Sequence, residues 1–492
     1  MATLAPGQFP AYREVVLIAP PNLPLASADA VERAALELER RLGPSRVMTD
    51  ITARETYARD ESEVEGRTPD IVVIAGSRED IIATLEIAER CGVPVTPRAG
   101  GSGRVGGAVP IAGGIVLATH ALAHIKEIHV DDLVAVVEPG VMTRDLHEAV
   151  EREGLFYPPD PNSLKWCCIG GNVAANAGGP RAFKYGVTRE YVLGVEACLM
   201  GGRAVRPGRR TIKGVTGYDL TALLVGSEGT LGVFSEVTLR LRRKPEAVAT
   251  VVALYDDVHR AAFAVTELLA AGLVPRCIEL MDKWTLEAVR AQKVAVDARA
   301  SAMLLIELDG PVATLDAELE RLGDVLSACP GSLDVLAAQN EAQRDRLWEA
   351  RRALSPATKK LARHKLSVDV VVPRSRIGDL LIETDRIGER HRVRHLTYGH
   401  AGDGNLHVNF LWNDDDERPR IDAALFDLMR ATVTLGGTLS GEHGIGVTKL
   451  PYLHLEQTED LIDLQRDVKR AFDPKGLLNP GKIFAPATHR DC

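Results

Sequence analysis

PRAGGSGRVGGAVP, Pro97–Pro110, decides the fold, because Gly100, Gly101, Gly103, Gly106 and Gly107 crowd into it. Gly101-Ser102-Gly103-Arg104-Val105-Gly106 fits GxGxxG, the pattern of a dinucleotide-binding Rossmann turn. That pattern binds a dinucleotide only where it follows a strand and opens a helix. Here AVPIAGGIVLAT (Ala108–Thr119) follows, and Pro110, Gly113 and Gly114 work against a helix. The Rossmann reading therefore fails. The glycines instead leave successive backbone N–H groups free to approach an anion such as a pyrophosphate. From this loop alone, a tight turn between strands explains the residues equally well.

Upstream, DIVVIAG (Asp70–Gly76) reads as an apolar strand. A helix pattern follows from Arg78 to about Cys91, with Ile81, Ile82, Leu85 and Ala88 on one face, and Val93–Thr96 is a second short strand. This is a small α/β unit. Downstream, glycine returns in Gly170–Gly179 and again through Gly214, Gly217, Gly226, Gly229 and Gly232. After Lys244–Pro245 glycine thins out. The pattern becomes strand Val248–Tyr255, helix Val258–Ala271, strand Arg276–Met281, strand Ala302–Leu308 and helix Ala313–Ser327, an α+β order. Near the end, Leu461, Leu464, Val468 and Ala471 fit one helix face, stopped at Asp473–Pro474.

The 492 residues suffice for two or three cores. The net charge of −9 speaks against nucleic-acid binding. The basic clusters Arg206, Arg209, Arg210, Lys213 and Arg240, Arg242, Arg243, Lys244 read as solvated loops and strand ends. No run of 18 apolar residues suggests a membrane span, and MATLAPGQFPAYREVV does not read as a signal peptide. The seven cysteines include no CxxC pair, so a reduced, cytoplasmic setting without an iron–sulfur cluster on this chain is expected.

YGHAGDGNLHVNF (Tyr398–Phe410) is the second informative stretch. Past the Asp403–Gly404 turn, Asn405, His407 and Asn409 share one strand face, and Leu406, Val408 and Phe410 share the other. The apolar face belongs in a core; the polar face must meet a ligand, a metal or water. His400 stands just before the turn, and SGEHGIG (Ser440–Gly446) adds Glu442 and His443. The imidazoles of His400 and His407 with the Glu442 carboxylate suit a divalent metal with open positions, Zn or Fe/Mn.

With the first loop, IGGNVAANAGGPRAFKYGVTREYVLG (Ile169–Gly194), VTGYDLTALLVGSEGTLGVFSEVTL (Val215–Leu239) and DPKGLLNPGKIF (Asp473–Phe484) resemble the FAD-binding domain of the vanillyl-alcohol oxidase and p-cresol methylhydroxylase superfamily. The four motifs run in order over about 420 residues. The resemblance implies a two-part FAD-binding domain over 46–245 behind an N-terminal segment (1–45). A substrate cap would span 246–415, and a C-terminal segment (416–492) would pack back on the flavin domain. It further implies that Ala99, Gly100, Gly101, Ser102 and Gly103 wrap the pyrophosphate, and that Gly170, Gly171, Asn172, Ala175 and Gly179 line the isoalloxazine and ribityl side. Val233 would offer backbone groups to the ring. Pro97, Arg98, Tyr185, Gly186, Glu228, Gly229 and Asn479, on the same motifs, complete the expected cofactor set. Covalent relatives carry a histidine in the first loop; Ser102 stands there, which implies non-covalent FAD.

The His/Glu segments narrow the resemblance to the branch of D-lactate and D-2-hydroxyglutarate dehydrogenases and the flavin subunit of glycolate oxidase. That branch implies His400, His407 and Glu442 as metal ligands, His443 as the base and Asn409 at the substrate. In LWEARRALSPA (Leu347–Ala357), it implies Arg351 as carboxylate clamp and Ser355 as its helper, with Arg352 solvated. Some hydroxyglutarate enzymes carry a lysine where Ser367 stands, two residues before Asp369, so a second-carboxylate substrate is disfavoured. The expected reaction is oxidation of a small D-2-hydroxy acid, of glycolate or D-lactate type. Electrons would pass to an acceptor protein or an iron–sulfur partner subunit; a homodimer and peripheral membrane attachment through a partner are compatible. Competing readings are a D-2-hydroxyglutarate dehydrogenase, an alkylglycerone-phosphate synthase-like flavoenzyme, a non-enzymatic FAD module and a colourless metal hydrolase.

Overall fold

The computed structural model describes residue 23 and residues 25–485, the side chains of Arg352, Ser355, Pro356 and Lys359 excepted. The reading of the extreme N-terminus as peripheral therefore falls mostly outside the described residues. A first sheet holds β1 (Val47–Met48), β2 (Ile71–Ile74), β3 (Val95–Arg98) and β4 (Ile115–Ala118) in the order β1-β2-β4-β3. Strands β2, β4 and β3 run parallel, joined by helix Arg78–Cys91, which Ser77 caps at one end and a left-handed Gly92 at the other. Ile71, Val73, Ile81, Leu85, Ile115 and Leu117 close one core beneath it. Between β3 and β4 the chain turns without forming a helix, as the proline and glycines there require. The C-terminal tail joins this sheet: Val95 N donates to Leu477 O at 2.8 Å and Asn479 N to Val95 O at 2.7 Å.

Next come β5 (Ile125–His129), β6 (Val134–Val137), β7 (Leu155–Phe156), β8 (Val192–Cys198), β9 (Ala204–Val205), β10 (Val233–Arg240) and β11 (Arg242–Arg243). Five of them form a sheet in the order β5-β6-β10-β8-β9, and β7 pairs with β11. The remaining strands are β12 (Ala247–Tyr255), β13 (Cys277–Met281), β14 (Ala302–Gly310), β15 (Ser332–Ala337), β16 (His364–Val371), β17 (Arg394–His400) and β18 (Asn405–Trp412). They make a seven-stranded antiparallel sheet, β15-β12-β14-β13-β17-β18-β16. Alternation assigns its faces. Ile278, Leu280, Val368, Val370, Leu406, Val408 and Phe410 pack into one core with residues of helices Val258–Ala270, Ile377–His391 and Arg418–Thr434. The opposite face carries Glu279, Asp369, Tyr398, His400 and His407, with helix Glu341–Lys359 across it. Among the described residues, no helix is long and apolar enough to cross a membrane.

One helix face differs from its expectation. In helix Glu459–Phe472, Ile462 is buried, whereas Leu461 and Leu464 are 45% and 61% exposed and Ala471 faces solvent. The helix is rotated because Lys469 anchors it from within, donating to Thr230 O at 2.7 Å and Leu478 O at 2.8 Å. The inward stripe is thus Ile462, Val468, Lys469 and Phe472, and a purely apolar count misses its anchor, Lys469.

Candidate active site

A cavity of about 1210 Å³ lies between the glycine-rich segments and the seven-stranded sheet. Its first wall is the loop Pro97–Val105 with Gly170, Gly171, Asn172, Ala175, Glu228, Gly229 and Val233. Gly101 has φ +68°, and a Cβ there would lie 2.2 Å from the Arg98 guanidinium, so this turn requires glycine. Arg98 itself donates to Arg59 O at 2.7 Å. Asn172, buried on helix Ile169–Ala175, donates to Thr143 Oγ1 at 2.7 Å. A long, backbone-lined trough of this kind fits a dinucleotide lying along it.

Four expected cofactor residues stand away from the cavity wall. Tyr185 donates its hydroxyl to Asp309 Oδ2 at 2.7 Å, joining the glycine-rich half to β14. Gly179 packs against Asp160, and Gly186, with φ +82°, against Glu190. Asn479 donates to Gly107 O at 3.0 Å and Glu228 O at 2.7 Å, so it holds two wall segments together from behind. Glu228 does double duty: it lines the cavity, and its carboxylate accepts from Ile445 N at 2.7 Å and Gly446 N at 2.8 Å. Burial raises its pKa, against the pull of those two N–H groups.

The far end of the cavity is made of side chains. Pairing of β13 with β17 sets Glu279 opposite His400; pairing of β16 and β17 with β18 sets Asp369 and Tyr398 on either side of His407. The His400 and His407 rings lie 5.3 Å apart, near perpendicular, and His443 stacks on His407 at 5.4 Å. His400 Nε2 and His407 Nε2 sit 3.8 and 3.5 Å from Glu442 Oε1, too far for hydrogen bonds. Both nitrogens are buried without a hydrogen-bond partner among the described residues. Two ligands about 2.1 Å from a shared tetrahedral ion would stand roughly 3.4 Å apart. The three donor atoms, all within 4.8 Å of one another, fit such an ion. Gly178 brings the glycine-rich wall to this spot, since a Cβ there would stand 3.2 Å from the Glu442 carboxylate.

Two buried acids set these donors. Glu279 Oε1 accepts from His400 Nδ1 and Oε2 from Arg351 Nε, each at 2.5 Å. Asp369 Oδ2 accepts from the N–H groups of Gly441 (2.7 Å), Glu442 (2.8 Å) and His443 (3.2 Å); its Oδ1 meets His443 Nδ1 at 3.1 Å and the Lys449 ammonium. Burial pushes both carboxyls up, but the groups that face them win. Glu279 falls to about 2 beside His400 and Arg351, and Asp369 falls well below its ordinary value beside His443 and Lys449. Glu442 likewise stays ionised, at about 2, against burial. Burial holds His407 down to about 3, so it is a neutral imidazole ready to ligate. His400, despite burial, is held well above its ordinary value by Glu279 and Glu442.

Arg351 lines the cavity with its Nη2 buried and, among the described residues, without a partner; its guanidinium stands 5.4 Å over the Tyr398 ring. Ser367 lines the cavity as well. Asn409 does not: it is fully buried and donates to His407 O at 2.9 Å, away from the cavity wall. The side chain of Ser355 lies outside the described residues. Sequence reasoning passed over Glu279, Lys449 and the organising role of Asp369. The available signal was a lone acid in each of two apolar strand runs, CIELM and VDVVV, where an unpaired carboxylate would be prohibitively costly.

Residues 69–208 match the family described as FAD binding domain, and residues 244–483 match FAD linked oxidases, C-terminal domain. The chain is 39% identical over 446 residues to glycolate oxidase subunit GlcD of Bacillus subtilis, covering 90% of this chain and 95% of that protein. It is 34% identical over 460 residues to D-lactate dehydrogenase of Anaerostipes hadrus, covering 91% and 96%. The fold is that of p-cresol methylhydroxylase, with a TM-score of 0.79 at 16% identity over 93% of this chain and 97% of that one. It is also that of alkyldihydroxyacetonephosphate synthase, at 0.73 and 18% over 94% and 89%. At such identities these likenesses concern fold alone.

Proposed function

The chain belongs to the FAD-linked oxidases, and we propose that within this family it oxidises a small D-2-hydroxy acid, of glycolate or D-lactate type, to the 2-oxo acid. The observation that carries the reading is convergence: a cation with a free N–H group, a candidate metal triad and an imidazole meet where the flavin trough ends. Bound non-covalently, FAD would supply the hydride acceptor, and a divalent ion on His400, His407 and Glu442 a Lewis acid for the hydroxyl oxygen. Arg351 holds the carboxylate through its free Nη2 and so fixes which face of C2 is presented. His443 takes the hydroxyl proton on Nε2, because Asp369 engages Nδ1 and sets the ring's orientation. Water is kept from the reacting atoms by the buried Tyr398 and His407 and the close Gly178 wall.

Ser367, not a cation, stands at the cavity wall, which favours a monocarboxylate over hydroxyglutarate. That two similar proteins are named subunits supports electron transfer to a partner protein. The test is anaerobic mixing with glycolate and D-lactate. The flavin should bleach, a chelator should stop it and Zn²⁺ or Mn²⁺ should restore it. His407→Ala should lose both metal and turnover while keeping FAD. Acid precipitation should release the FAD into the supernatant. A flavin that no 2-hydroxy acid bleaches would overturn the substrate class.

A further inference from the structure

The candidate metal ligand His400 and the candidate acid clamp Arg351 come from distant parts of the chain, a strand end and a helix, yet they share one buried carboxylate. Glu279 is fully buried on β13 and spends one oxygen on each: Oε1 on His400 Nδ1 and Oε2 on Arg351 Nε, both at 2.5 Å. What it leaves over is informative. The opposite ends of the two partners, His400 Nε2 and Arg351 Nη2, are both buried and both without a hydrogen-bond partner among the described residues. A bond at Nδ1 fixes an imidazole's tautomer and aim, and a bond at Nε fixes the plane of a guanidinium.

We propose that Glu279 is the positioning residue that sets the metal ligand and the acid clamp relative to each other, so that the hydroxyl and the carboxylate of one substrate are gripped at a fixed separation. The geometry is economical: the two groups of a 2-hydroxy acid sit on adjacent carbons, and a single rigid carboxylate between their two receptors holds that short spacing better than two independent supports. This inference rests on the reading of His400 as ligand and Arg351 as clamp.

The experiment separates the two hands, using FAD-loaded, metal-stripped protein and no turnover. Zn²⁺ affinity is measured alone, by competition with a chromogenic chelator. Oxalate affinity is measured alone, in metal-free protein, from the flavin absorbance. His400→Ala should weaken only Zn²⁺, and Arg351→Lys only oxalate. Glu279→Gln should weaken both, Zn²⁺ by about 10- to 100-fold and oxalate by about 10-fold, the loss of one charge-assisted hydrogen bond. A Glu279→Gln protein that retains FAD but loses neither affinity, or only one, overturns the proposal. Should that variant lose FAD, Glu279→Asp serves: it keeps the charge but is one methylene too short for both partners. At least one affinity should then fall about 10-fold, and parental values for both would overturn the inference. If the parent binds neither Zn²⁺ nor oxalate, the underlying functional reading has failed and this inference falls with it.

Discussion

The two ends of the cavity are built on opposite principles. The glycine-rich end is walled largely by backbone, so what matters there is the absence of side chains: Gly101 would clash with Arg98, and Gly170 with Pro139, if either carried a Cβ. The other end is made of charge. Glu279 and Asp369 are buried, Glu442 is partly so, and all three are ionised, each held so by a facing cation or imidazole. The first end is therefore sensitive to added volume and the second to altered charge. The charged end holds His443, the imidazole proposed to accept a proton from the substrate.

The largest expected effect is at the charged end. His443→Ala should slow flavin reduction by a D-2-hydroxy acid by about 10²–10⁴-fold at saturating substrate, with FAD content unchanged. Reduction at the parental rate in stopped flow would show that His443 is not the base. Asp369→Asn, a nearly isosteric change, should destabilise the chain by about 3–5 kcal/mol, because the buried Lys449 ammonium loses its counter-charge. Denaturant unfolding measures this; a loss below about 1 kcal/mol, the worth of an exposed pair, would mean the pair is worth no more than a surface one.

At the glycine end the failure should be different in kind. Gly101→Val puts a β-branched side chain at φ +68°, a strain of about 1–3 kcal/mol before the clash with Arg98. The purified variant should be largely colourless yet still take up Zn²⁺. Loss of metal and flavin together would blur the distinction between the two ends. The smallest effect concerns Lys482 in the returning tail. Its ammonium donates to Val109 O at 2.6 Å, and burial pushes its pKa from 10.5 to about 7 despite Asp60. The folded chain thus holds this proton less tightly than the unfolded one. Stability should rise as pH goes from about 7 toward 10.5 and stay level, from this group, below 7. Unfolding midpoints at pH 6, 7.5 and 9 should therefore rise in the parent relative to Lys482→Met above pH 7; parallel curves across that range would remove Lys482 as the cause.

What could be read beforehand follows the same division. The glycine loop, the strand and helix around it, and the alternation of Asn405–Phe410 are local patterns, and local patterns survive in a linear text. The residue types of the candidate metal triad were readable because they stand in two short glycine-framed segments, Tyr398–Phe410 and Ser440–Gly446. Glu279 and Asp369 were not singled out, since an acid within an apolar strand gains its meaning from whatever sits on the neighbouring strand. Tyr185 and Asn479 lie on motifs that touch the cavity, but their hydroxyl and amide turn to Asp309, Gly107 and Glu228 instead. The last helix was read a stripe off because its anchor is the polar Lys469.

The sequence by itself determined where the backbone must be bare, which strand faces are apolar and which residue types could bind a metal or move a proton. Those are properties of single residues and of spacings of two to four. Only the tertiary structure decided that residues 279, 351, 369, 400, 407, 442 and 443 meet. Their meeting depends on the register of β13, β16, β17 and β18, and on helix Glu341–Lys359 crossing that face. Register is a cooperative outcome of burying Ile278, Leu280, Val368, Val370, Leu406, Val408 and Phe410 on the other side of the sheet. A slip of one residue would send the charged set into that apolar core, and no local stretch of the chain carries the energy that forbids it.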